Sequence, residues 1–471
     1  MNPSVQRKSR FFWSRRDFCK WPIAAGAIAA GPQWLPGAAL AQSTETAGTP
    51  PVAGRIALLI GNRDYPGGQD LPPITKNVRD VHLALEKRGF VVTDALDADR
   101  STALRLVDSF AQQLQKLPEE GVALFYFSGH GIQVNAENVL VSAHIDPVFK
   151  NTVESENIVK NSVALFENVL KRMPNRQAGL NVAVIDACRT SIRATSPASD
   201  GLNQVEAPAG SLIAFSTGAG RPALAPADEN RNTFYTESLV KILTNASDET
   251  SFADMFRLVK IDVQTTMLSH PIEAVRKLAQ FPFIAENSHA TIALATTTRK
   301  AKRFQSADEE GDWAKLTQSG WAPEIYKLAD EFLQRYPNSP LAGGALVARD
   351  GASEAARILS RSDIRLFRSS FLPQPDLGDA YAIDLAKAAR GDKDAAARVG
   401  RQWQTKATSG PEALRYEAWM QYSAELGNGI ASYELALHYR RIRQPQPAAK
   451  WEDRARELGY TPPPSLDNVR K

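Results

Sequence analysis

The sequence predicts an α/β protein, with a mainly parallel sheet flanked by helices and then an all-α helical-repeat region. Three observations carry this. Between residues 55 and 285, short runs apolar on both faces alternate with helical periods. That alternation describes a parallel sheet covered on both sides. From about residue 300 the strand-like runs stop. Beyond that, Gly391 and Gly427 stand 36 residues apart with similar residues following each.

The elements follow in order. Arg55–Asn62 (RIALLIGN) is a buried strand closed by turn residues. Val78, Val81, Leu83 and Leu85 mark a helix that stops at Gly89, and Phe90–Thr93 is a second strand. Residues 101–117 form an amphipathic helix, and Val122–Phe127 is the third strand. A helix is expected over 162–173, then a strand at Asn181–Ile185 and another at Ser211–Phe215. Helices follow near 234–245 and 251–267, and paired helices over 306–336. In the last part, Ala395, Val399, Gly400 and Trp403 follow Gly391 as Ala431, Leu435, Ala436 and Tyr439 follow Gly427. Trp419 and Trp451 each precede a Leu-Gly pair by seven residues. Small residues at a period in the thirties predict stacked helical hairpins. They resemble tetratricopeptide-related repeats of the Sel type, one good unit flanked by degenerate ones; the alternative is an irregular helical bundle.

The chain has 471 residues, 43% hydrophobic and 23% charged, which excludes wholesale disorder and a multi-span membrane protein. Its net charge is +4, but residues 1–41 alone carry +5, leaving −1 for the rest. No nucleic-acid partner is therefore expected. Ser14-Arg15-Arg16-Asp17-Phe18-Cys19-Lys20, an Ala/Gly-rich stretch and Ala39-Leu40-Ala41 have the layout of a signal peptide. The twin arginines resemble the twin-arginine export signal. Pro22, Pro32 and Pro36 interrupt the apolar run, so no stable membrane span is expected in the mature chain. The expected organisation is an export signal at 1–41, a linker at 42–54, a sheet domain at 55–290, a linker at 291–305 and a helical region at 306–471, its repeats best at 380–460. The expected location is periplasmic or secreted.

Two strand ends carry unusual chemistry. The third strand runs into Ser128-Gly129-His130-Gly131 and the fourth into Asp186-Ala187-Cys188-Arg189. In a parallel sheet both ends face one crevice, where such sheets place their sites. Between two glycines, His130 is expected to be poorly shielded. Of the two cysteines, Cys19 lies in the export segment, so Cys188 is the thiol of the mature chain. An imidazole can take the thiol proton and later protonate a leaving amine. The backbone N–H groups of Gly131 and Cys188 are the candidate oxyanion donors. One Cys and one His lack companions at metal-ligand spacing, and no cofactor is expected.

These residues resemble the caspase-like cysteine peptidases, particularly bacterial metacaspases and orthocaspases. Ala57-Leu58-Leu59-Ile60-Gly61-Asn62-Arg63-Asp64-Tyr65, Asn77-Val78-Arg79-Asp80, Ala214–Gly218 and Asn232–Glu237 fit the same family. The resemblance spans about 55–285 and implies His130 as general base and Cys188 as nucleophile. It also implies Asp186 and Asp80 as the carboxylates that select Arg or Lys before the scissile bond. Read alone, Asp186 could instead fix a loop or cap a helix, and Asp80 could lie on a solvated helix face. The run Ile132–Asn138 holds one carboxylate, where many metacaspases have an acidic cluster linked to calcium, so calcium activation through this loop is not expected and a site elsewhere stays open.

The stretch Arg189–Gly210 carries no clear element and starts beside Cys188, and Arg193 within it is the expected autoprocessing site. The function expected is an exported endopeptidase acting on protein or peptide substrates, with a protein partner for the helical repeats. The rival is a catalytically silent caspase-like scaffold that recruits partners through those repeats. A flavodoxin-like small-ligand binder lacks the Gly-rich phosphate loop it would need.

Overall fold

The computed structural model describes residues 54–134, 136–148, 152–188, 202–218, 223–295, 304–406 and 413–462. The expected export signal at 1–41, the expected linker at 42–54 apart from Gly54, and Arg193 lie outside the described residues.

Six strands form the main sheet: β1 (Arg55–Gly61), β2 (Val91–Leu96), β3 (Val122–Val134), β6 (Leu180–Cys188), β7 (Ser211–Phe215) and β8 (Phe283–Asn287). They lie in the order β2-β1-β3-β6-β7-β8. The first five are parallel, and β8 closes the far edge antiparallel to β7. β3 outruns the sheet and pairs antiparallel with β4 (Glu137–Leu140), which pairs with β5 (Val163–Ala164).

Strand alternation sorts the core into two layers. Leu59, Tyr126, Val182 and Val184 pack with α1 (Ile74–Lys87), α4 (Phe234–Asn245) and α5 (Phe252–Leu268) through Val81, Leu85, Tyr235, Leu239, Phe252 and Phe256. Leu58, Phe125, Phe127, Ala183 and Ile185 pack on the other face with Phe110 and Leu114 of α2 (Arg100–Leu114). Side-chain caps start α2, α4 and α5: Asp99 accepts the Thr102 amide at 2.7 Å, Thr233 that of Thr236 at 3.3 Å, and Ser251 that of Asp254 at 3.0 Å. A short helix, α6 (Glu273–Lys277), precedes β8.

The helix expected over 162–173 is not one α-helix. Val163 and Ala164 are drawn into pairing with β4, and the Asn168 side chain accepts the Ala164 amide at 2.9 Å. A wide turn at Leu165–Val169 and a 3-10 turn at Leu170–Arg172 follow. Leu165, Val169, Leu170 and Met173 still face the core, so the period read from the sequence reports burial and not helix type. The α-helix here lies earlier, at α3 (Thr152–Lys160).

The helical region contains α7 (Ala307–Gln318), α8 (Ala322–Arg335), α9 (Ala342–Leu359), α10 (Gly378–Ala389), α11 (Lys393–Lys406), α12 (Ala413–Glu425), α13 (Gly429–Arg441) and α14 (Pro445–Glu457). Its core is rich in alanine at the crossings, with Trp419, Tyr422 and Phe371 as the large fillers. Gly391, Gly427 and Gly459 end α10, α12 and α14 at φ of 80°, 101° and 76°, a left-handed turn that disfavours other residues.

The helical region docks on the sheet domain along β8. The Lys393 ammonium donates to the Ile284 carbonyl at 2.8 Å, the Glu286 amide donates to the Asp394 carboxylate at 3.0 Å, and Arg398 donates to the Glu286 carbonyl at 2.7 Å. The Glu286 carboxylate, 2% exposed, lies between Arg257 at 2.6 Å and Lys387 at 2.5 Å. Burial pushes Asp392 up, but Arg257, Arg398 and Lys387 outweigh it and hold this carboxyl down at about 2. In the stretch 291–305, residues 293–295 are fastened by Arg55, whose guanidinium donates to the carbonyls of Ala293, Leu294 and Ala295.

Candidate active site

The site is built where β3 and β6 leave the core. Their parallel register pairs Ser128 with Asp186, Gly129 with Ala187, and His130 with Cys188. The His130 amide donates to the Tyr65 hydroxyl at 3.1 Å, and its carbonyl accepts the Val141 amide at 2.9 Å. N–H groups alternate in direction along a strand, so the Gly131 N–H turns to the β6 side.

His130 is 4% exposed, contrary to the expectation of a poorly shielded residue. The Tyr65 ring covers it edge-on with 4.5 Å between centroids, and the Tyr65 hydroxyl donates to the Val141 carbonyl at 3.2 Å. The flanking glycines answer a packing need. A Cβ at Gly129 would stand 2.8 Å from the Tyr65 hydroxyl, and one at Gly131 would stand 2.9 Å from the Ala187 Cβ.

The His130 Nε2 lies 2.8 Å from the Gln69 carbonyl. A carbonyl only accepts, so Nε2 carries the hydrogen and Nδ1 holds the lone pair of the neutral ring. Gly67 and Gly68, at φ of 70° and 74°, form the left-handed turn that leads into Gln69.

Asp186 is 2% exposed. It accepts the hydroxyls of Thr233 at 2.5 Å and Thr236 at 2.7 Å, with Ser216 also bonded to it. Burial pushes its carboxyl above the usual carboxylate range despite those three hydroxyls. Thr236 in turn accepts the Tyr126 hydroxyl at 2.7 Å. Asn77 donates to Ser128 at 3.1 Å and to Thr233 at 3.2 Å, joining α1 and β3 to the start of α4.

Asp80 lies on α1 and accepts Lys76 at 2.5 Å, Asn232 at 3.0 Å and Arg79 at 3.2 Å. Burial raises its carboxyl, but these donors outweigh it and hold the group below its ordinary value. The two carboxylates thus meet at consecutive residues, Asn232 on Asp80 and Thr233 on Asp186. The Asn232 side-chain oxygen is buried with no hydrogen-bond partner among the described residues. No group of three metal-ligating side chains occurs among the described residues.

The structure therefore brings His130, Gly131, Cys188 and Asp186 to adjacent strand ends and ties Asp80 to Asp186 through one loop; Arg193 is outside the described residues. Sequence reasoning missed Gln69, which acts through a carbonyl and leaves no side-chain signature. It also gave no role to Tyr65, Asn77, Thr233 and Thr236, all of which stand inside motifs quoted above. Tyr65 stands just past a buried strand end, whereas Asn77, Thr233 and Thr236 lie in or at the start of helices and carry no separate signal.

Set beside known proteins, residues 54–291 match the family model of the caspase domain, and the chain belongs to that family. Fold and family agree on a cysteine peptidase or a caspase-like scaffold. Over 146 residues the chain is 31% identical to the mucosa-associated lymphoid tissue lymphoma translocation protein 1 homolog of Mus musculus. It is 30% identical over 146 residues to the corresponding Homo sapiens protein. These stretches cover 31% of this chain and 16% of either relative's own length.

Proposed function

We propose that this protein is an exported cysteine endopeptidase that cleaves after Arg or Lys. The observation that carries the reading is the register pairing of His130 with Cys188, with the imidazole hydrogen committed to Gln69. In this mechanism the Cys188 thiol gives its proton to Nδ1 of His130, and the sulfur attacks the scissile carbonyl carbon. The oxyanion is met by the Gly131 and Cys188 N–H groups. Collapse expels the amine, which takes the proton from His130 and leaves a thioester. Water, deprotonated by His130, then attacks the thioester, and the thiol is regenerated as the acid product leaves.

Asp186 supports the cationic specificity. It is a buried carboxylate held by hydroxyls, and a guanidinium would supply its countercharge. Asn232 adds an acceptor beside it, and Asp80 would be shared with Lys76. The helical region, read as Sel-type repeats, would bind a protein partner. Among the described residues no helix is long and apolar enough to cross a membrane, and the export reading rests on residues 1–41.

The test is hydrolysis of fluorogenic peptides ending in Arg, Lys or Asp, with Cys188→Ala as control. Cleavage after Arg and Lys that disappears in the variant supports the reading. A folded wild-type protein that hydrolyses none of them leaves the scaffold.

A further inference from the structure

We propose that Asn203 and Gln204 are positioning residues through which the helical region holds the candidate active site in shape. This rests on the peptidase reading for its catalytic consequence, but its geometry stands apart from it.

The two amides are 5% and 6% exposed, in a stretch whose composition reads as solvent-exposed loop. Every polar group of Asn203 is used. Its N–H donates to the Asn138 side-chain oxygen at 2.6 Å, and its carbonyl accepts the Asn138 side-chain nitrogen at 3.0 Å. Its own side chain treats Thr461 in the same way: the oxygen accepts the Thr461 N–H at 2.9 Å and the nitrogen donates to the Thr461 carbonyl at 3.0 Å. That nitrogen also donates to the Ala136 carbonyl at 3.0 Å. One residue thereby joins the β3–β4 hairpin to the chain following α14.

Gln204 fits between two turns of the helical region. Its oxygen accepts the Gly429 N–H at 2.8 Å, and its nitrogen donates to the carbonyls of Leu458 at 2.9 Å and Gly427 at 3.3 Å. The approach is close: a Cβ at Gly429 would stand 3.0 Å from that oxygen. Glu206 then pairs with Arg401 of α11, which also holds Glu434 at 2.7 Å.

The active-site end of this path is Leu202, 6% exposed in the sheet core. A Cβ at Gly131 would lie 3.3 Å from Leu202 and 2.9 Å from Ala187. Gly131 follows His130, and Ala187 precedes Cys188. Leu202 therefore packs beside the residues that flank the proposed dyad, and Asn203 and Gln204 set its position. Buried amides fully paired at both ends suit this task, because displacing either one strands several backbone groups.

The test is Gln204→Met, which keeps volume and removes three hydrogen bonds, with Arg401→Ala as a milder disturbance from the helical side. Two readouts are taken on the full chain below its unfolding temperature: amide hydrogen exchange across residues 129–134, and kcat and KM on an Arg-ended peptide. We expect exchange at 129–134 to quicken about tenfold and kcat to fall about tenfold with KM within about twofold. A merely structural contact would lower the melting temperature and leave both readouts alone. Unchanged exchange at 129–134 in both variants overturns the proposal. Quickened exchange with an unchanged kcat overturns its catalytic part. A wild-type chain that hydrolyses no peptide counts against the peptidase reading, and exchange alone then decides whether the clamp shapes the strand end.

Discussion

The His130 Nε2 donates to the Gln69 carbonyl at 2.8 Å, so a main-chain group outside the sheet decides which ring nitrogen can take a proton. In the proposed mechanism Nδ1 is then the nitrogen that takes the proton of Cys188, the register partner of His130 on β6. A side chain at Gln69 has no part in this contact, so Gln69→Ala should keep wild-type kcat. A loss of activity in that variant would show that the amide side chain, and not the carbonyl, matters.

Cys188→Ala should remove hydrolysis by roughly a thousandfold or more while leaving the unfolding midpoint close to wild type. The measurement is peptide turnover beside a denaturant melt. Residual turnover at the wild-type level would refute the nucleophile.

Tyr65→Phe keeps the ring over His130 but withdraws the hydroxyl from two buried backbone groups, the His130 N–H and the Val141 carbonyl. The expected cost is about 1–3 kcal/mol in denaturant unfolding. The Val141 carbonyl keeps the Asn62 side-chain nitrogen at 3.0 Å, so an unchanged midpoint would mean that the His130 N–H finds another partner.

Asp186→Asn should cut cleavage after Arg by about thirtyfold or more. It also carries a pH signature. The folded-state carboxyl is raised by burial, so the stability it contributes is fully present below the ordinary carboxylate pKa and is lost as pH climbs through the raised folded value. The amide variant should therefore gain on wild type, in denaturant melts, as pH rises across that window. Binding a guanidinium favours the ionised form, so the wild-type KM for an Arg-ended peptide should fall over the same window. A pH-independent KM and stability difference would refute both statements.

Cleavage at Arg193 should yield two fragments on a denaturing gel that migrate together under native conditions. Across that bond Asn203 holds the β3–β4 hairpin and β7 pairs with β6, so the two fragments stay joined through the sheet. Fragments appearing in wild type and not in Cys188→Ala would mark the cut as the enzyme's own; fragments that separate without denaturant would show the anchoring to be too weak.

The parallel strands were legible because Leu58, Leu59, Tyr126, Phe127, Val184 and Ile185 stand in short runs apolar on both faces and bounded by turn residues, as a doubly covered sheet requires. The strand-end positions of His130 and Cys188 followed from the same runs. β8 was not legible. Phe283–Asn287 is short, ends in Glu and Asn, and becomes a strand through β7 on one side and Lys393, Asp394 and Arg398 on the other. Asn203 and Gln204 were hidden for a related reason: polar residues among Ser, Pro and Gly signal solvent, and their burial depends on turns more than 200 residues away. The hydroxyls around Asp186 carry no period at all.

Glu286 and its neighbours have a consequence for how the sheet can grow. A strand at the end of a sheet offers a comb of amides and carbonyls to any extended chain that passes. At β8 the outward groups of Ile284 and Glu286 are already engaged by an ammonium, a carboxylate and a guanidinium, which do the work of a neighbouring strand without being one. The opposite margin is β2, where Val91 and Leu96 are 54% and 46% exposed and no further strand pairs among the described residues. Among the described residues, extension of this sheet by an incoming peptide is thus directed to one side, and removal of α11 would open the β8 margin as well.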